Sequence, residues 1–86
     1  MKGTIAFASA EGLYSRRYAV LTEHGDYTMF ELMHGAPLTE GQAVTGDFSR
    51  IEPAIYCDDR GTEFRVMQED VHRSLSVAKA WVAGMT

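Results

Sequence analysis

The chain is poor in the things that usually announce a function. Its single cysteine, Cys57, cannot close an internal disulfide. Nothing covalent staples the fold, and a reducing cytoplasm is the expected setting. No apolar run approaches the ~18 residues that a membrane span needs. The opening MKGTIAFASAEG is too short and too polar for a secretory signal. No repeat, low-complexity tract or Pro/Gly/Ser linker divides the 86 residues, so one domain with one modest core is expected. Lys and Arg are absent from Tyr18 to Ser49, where Glu23, Asp26, Glu31, Glu40 and Asp47 all lie. With a net charge of −4, any phosphate-facing surface must be built from the cations outside that window.

Chemical motifs are equally scarce. His24, His34 and His72 show no paired spacing with one another or with Cys57, so no metal site is expected. No Gly-rich loop leads from a strand into a helix, and no serine stands in a nucleophile turn. Asp58 and Asp59 beside Cys57 are explained by a hairpin turn. Glu31 would act as a base only if buried, and a carboxylate on the outer side of a strand is ordinarily solvated. A non-enzymatic protein without cofactor is the expectation.

What is present is period-two hydrophobicity. In KGTIAFAS, Ile5 and Phe7 fall on one side and Thr4, Ala6 and Ala8 on the other. RRYAVLTE and YTMFELM flank a short Gly-containing link and predict an antiparallel hairpin. Its second strand turns Thr28, Phe30 and Leu32 inward, and Tyr27, Met29, Glu31 and Met33 outward. AVTGDFSRI reads as a further strand with a bulge or bend at Gly46. PAIYC and EFRVMQ flank a turn at DDRGT, with Gly61 at its left-handed position. The fold class predicted is mainly β: a small closed antiparallel barrel of five or six strands over residues 1–73. SLSVAKAWVAG then predicts a short C-terminal helix over 74–84, with Val77, Ala78, Trp81 and Val82 on one stripe. Ser74 or Ser76 can cap its start and Gly84 suits its end. A helix this short needs tertiary contact, so it is expected to pack as a lid, with Trp81 plugging an open end of the barrel.

MKGTI, then GDYTMFEL, then LTEGQAVTGDF, together resemble the cold-shock domain in order and spacing. The resemblance covers about the first fifty residues and rests on Lys2-Gly3-Thr4-Ile5 and the run Leu38 to Val44. It implies an OB-like barrel and single-stranded RNA or DNA as ligand. Where that family stacks bases on its second and third strands, this chain has Arg17 and Ala19, then Met29, Glu31 and Leu32.

Two readings of the surface follow. In the first, Lys2, Arg16 and Arg17 contact phosphates while Phe7, Tyr14, Tyr18 and Tyr27 stack bases. The plainer alternative for that cluster is a strand start with solvated arginines and tyrosines rimming the core. In the second, the barrel has lost nucleic-acid binding and docks a protein partner, or a second copy of itself, through Met29, Glu31 and Met33.

Overall fold

The computed structural model describes residues 1–9 and 16–84 of the chain; the expected stacking group Tyr14 lies outside the described residues. Within them the period-two runs form β1 (Lys2–Ala8), β2 (Arg17–Thr22), β3 (Tyr27–His34), β4 (Ala43–Thr45), β5 (Pro53–Asp58) and β6 (Glu63–Arg73), followed by α1 (Leu75–Val82). The strands close into a barrel in the order β1-β2-β3-β6-β5-β4. Every neighbouring pair is antiparallel, including the β1–β4 and β3–β6 contacts that complete the ring. Strand directions can alternate around a ring only when the number of strands is even. Six strands therefore close with no parallel pair, which five could not.

The β2–β3 hairpin is as expected. Gly25 takes φ 82° at the turn, a conformation that costs glycine little and other residues more. The Gly25 N–H donates to the Thr22 carbonyl, and the Thr22 hydroxyl donates to Asp26. Phe30 and Leu32 face inward and are fully buried.

Tyr56 stands at the centre of the interior, in edge contact with Phe30, Phe48 and Phe64 at 5.0, 5.1 and 5.9 Å between ring centroids. Its hydroxyl donates to Gln68 Oε1, and Gln68 Nε2 donates to the Arg50 carbonyl at 2.7 Å. Burial pushes the Tyr56 phenol far above its ordinary value, with the Asp47 charge adding to it. Gly46 is where the chain passes closest: a Cβ there would sit 2.6 Å from the Tyr56 ring. The glycine thus makes room for a core tyrosine at the end of a three-residue β4, where a longer bulged strand was expected.

Register shifts fall in the β3–β6 pairing and in β1 instead. Ile5 pairs with Val20 but Phe7 pairs with Ala19, a register shift that places one extra residue at Ala6. Ile5 therefore points into the barrel while Phe7 points out, correcting the expectation that they share a side. A bulge inverts the alternation beyond it.

That inversion completes a second apolar cluster. Ala19, Tyr27 and Met29 are buried outside the barrel against Ala78 and Val82 of α1, with Phe7, Leu21 and Trp81 packed at its margin. The helix thus lies across the outer face of β1, β2 and β3 and does not plug an open end. Its own stripe explains the contact, since an eight-residue helix is marginal until its apolar side is covered. Of the two candidate caps, Ser74 does the work: its Oγ accepts the Val77 N–H at 3.5 Å. Among the described residues no helix is long and apolar enough to cross a membrane.

Candidate binding faces

The outside of the barrel divides into a covered and an open part. The covered part holds three of the seven expected nucleic-acid contacts: Phe7, Arg17 and Tyr27. Phe7 and Tyr27 stack there with centroids 5.9 Å apart and planes inclined by 24°. The Arg17 guanidinium sits 4.5 Å from the centre of the Trp81 ring and donates to the Trp81 carbonyl at 2.9 Å. The indole occupies the stacking position above Arg17.

Burial corrects three assignments. Tyr18 points into the barrel, is 2% exposed and stacks on Phe30 at 5.5 Å. Tyr27 is 9% exposed beneath α1, and Met29 is 4% exposed beside it. As folded, neither tyrosine offers a ring to a base and Met29 offers nothing to a partner. The physical reason is common to Tyr27 and Met29: the outward side of β3 is apolar at its start, and α1 lies there. Arg16 remains exposed, its Nη1 donating to the Leu32 carbonyl at 3.1 Å. Lys2 is exposed beside Glu23, whose carboxylate accepts the Lys2 backbone N–H. These two cations flank opposite ends of the β1–β2 pair, about 20 Å apart at strand rise, and form no common patch.

The open part is the wall of β3, β6 and β5 beyond the reach of α1. Arg65, Met67, Pro53 and Ile55 point outward in register, Pro53 opposing Met67 and Ile55 opposing Arg65, and Met33 joins them from a register shift between Leu32 and His34. Met33 is 61% and Ile55 53% exposed. Between them is a depression of about 550 Å³ lined by Met33, Pro53, Ala54, Ile55, Arg65 and Val66. Glu31, partly buried on this wall, pairs in register with Met67 on one side and Arg17 on the other. The outward side of β6 also carries Glu63, Arg65 and Glu69, so along the wall three acids, Glu31 included, stand against Arg65 and the neighbouring Arg17. Of the expected interaction residues, Met33 and Glu31 belong here. Ile55 was missed, although the alternation of PAIYC already set Pro53, Ile55 and Cys57 on one side.

A polar cluster lies at the far end of the β2–β3 hairpin. His72 Nδ1 stands 2.9 Å from Asp26 Oδ2, and His72 adopts φ 56° at the junction leading to α1. The Thr22 hydroxyl, then the His72 hydrogen bond, hold the Asp26 carboxyl below its ordinary value. Among the described residues no group of three or more His, Cys, Asp or Glu side chains could hold a metal ion.

No family model, no curated protein and no solved structure matches the chain.

Proposed function

We propose that this barrel is a non-enzymatic protein-interaction module that docks its partner on the open wall of β3, β6 and β5. The observation that carries the reading is the pair Met33 and Ile55, more than half exposed on either side of one apolar depression. Elsewhere on the sheet's exterior, beneath α1, apolar side chains of this size are covered by the chain itself. A flexible thioether beside a branched aliphatic group suits an adaptable apolar contact. Glu31, Glu63 and Glu69 against Arg65 and Arg17, on a chain of net charge −4, favour a partner segment whose apolar centre is flanked by lysine or arginine.

The test is an amide NMR titration with a synthetic peptide of aliphatic centre and lysine flanks, beside a control with glutamates in place of the lysines. The lysine peptide is expected to shift amides of β3, β5 and β6, and Ile55→Lys to weaken it about tenfold or more. No saturable shift, or equal binding of the glutamate peptide, would dismiss the reading.

A second reading keeps single-stranded RNA or DNA as ligand, in line with the cold-shock resemblance. It is favoured by the stacked Phe7–Tyr27 pair beside Arg17. In this reading α1 leaves the sheet before bases stack. Oligothymidylate would then bind the Trp81→Ala variant more tightly than the parent, with steep salt dependence. Equal, salt-insensitive titrations would remove it.

A further inference from the structure

One end of the barrel holds a cavity of about 640 Å³ that neither reading uses, reached from the inward side of β3 at Leu32, whereas the open wall lies on the outward side at Met33. Leu32, Pro37 and Leu38 supply apolar lining, while Arg16, Tyr18 and Glu40 supply polar groups. Each polar group keeps unused capacity. The Tyr18 oxygen accepts the Leu38 N–H at 3.1 Å, but among the described residues its own proton has no acceptor, although the side chain is 98% buried, being 2% exposed. Arg16 spends one N–H on the Leu32 carbonyl and retains the rest of its donor fork. One Glu40 oxygen accepts the Ala8 N–H across a long 3.4 Å. Arg16 and Glu40 line the same cavity without pairing: among the described residues the ion pairs are His72–Asp26 and Arg73–Asp70.

A buried phenol whose proton meets no acceptor among the described residues asks for one. A cation on the same lining asks for that acceptor to be anionic, and a separate carboxylate asks for a positive group on the same ligand. We propose that this cavity binds a small zwitterion bearing an aliphatic side chain, of the aliphatic α-amino acid class. The ligand carboxylate takes the Tyr18 proton and the Arg16 fork, its ammonium faces Glu40, and its side chain lies along Leu32, Pro37 and Leu38. A few placed polar groups on an apolar lining are the usual construction of a small-molecule site.

The probes are L-leucine, isocaproate, which lacks the ammonium, and isopentylamine, which lacks the carboxylate. Each is titrated into the full chain and followed by amide NMR. L-Leucine is expected to shift the amides of Leu32, Leu38, Thr39 and Glu40, and to bind about tenfold more tightly than either analogue, the worth of one charge-assisted contact. Arg16→Gln should weaken leucine and isocaproate about tenfold and leave isopentylamine unchanged. Glu40→Gln should weaken leucine and isopentylamine and spare isocaproate. Both side chains are exposed, so the amide spectra of the variants should remain those of the parent fold. Absence of saturable shifts at these residues, equal affinity for the three probes, or variants indifferent to ligand charge would each overturn the assignment. Peptide docking on the β3–β6–β5 wall would be untouched by any of these results.

Discussion

The outward side of β3 lives in two environments. Its first half, Tyr27 and Met29, is buried under α1; its second half, Glu31 and Met33, is not, and Met33 is 61% exposed. The strand is continuous and its residue types are similar, with register shifts against β6 on either side of Met29 and between Leu32 and His34. The difference is set by the footprint of the helix: α1 lies across β1, β2 and β3 and packs on Tyr27 and Met29, and its apolar cluster includes neither Glu31 nor Met33. An outward position on a strand thus becomes core or contact surface according to what the rest of the chain lays over it. The same apolar pattern yields a structural seam at one end and a docking wall at the other.

The comparison is sharpest in a pair of truncations. Met29→Ala should cost about 2–3 kcal/mol in urea unfolding, as expected for removing a buried side chain that the surroundings refill only in part. Met33→Ala, four positions along on the same side, should stay within about 0.5 kcal/mol of the parent while weakening the lysine-flanked peptide. Equal costs would break the distinction between seam and wall. Met29→Lys, which the pattern alone would suggest as a probe of partner binding, should instead unseat α1 and lower stability.

Trp81→Ala comes next, with an expected loss of about 1–2 kcal/mol from ring packing and from the Arg17 contact. Ser74→Ala should cost about 1 kcal/mol by leaving a helix N–H without its acceptor. Both act only through α1, so both should leave peptide docking on the wall intact; a parallel loss of affinity would mean that the two faces are coupled. The smallest effect belongs to Asp26. Its carboxyl is held below the ordinary 3.8 in the folded state, so the stability it lends is present above that value and lost as pH falls below it. Asp26→Asn should flatten the acid limb of stability against pH in that window, and an unchanged limb would place the dependence elsewhere.

How much of this was legible in the sequence follows from what alternation can and cannot encode. The hairpin, the inward Phe30 and Leu32, and the closed antiparallel class were readable because strand period, turn glycine and burial all agree there. The bulge at Ala6 was not. Ile5 and Phe7 alternate equally well with or without an inserted residue, so only the pairing with Val20 and Ala19 reveals that Phe7 turns outward. The apolar stripe of α1 announced a contact without naming its surface. Tyr27 and Met29 therefore looked like exposed recognition groups when they were the helix's own floor. Tyr18 was misjudged for a different reason. A tyrosine at a strand start fits a rim as readily as a core, and what decides is the Leu38 N–H brought to its hydroxyl by a distant loop.

Methionine oxidation mapped by mass spectrometry tests the central distinction most directly, because the reagent reads exposure of the same side-chain type on one strand. With dilute peroxide under native conditions, Met33 should oxidise rapidly and Met29 slowly, and the lysine-flanked peptide should slow Met33 and leave Met29 unchanged. Met29 reacting as fast as Met33, or Met33 indifferent to the peptide, would contradict the account.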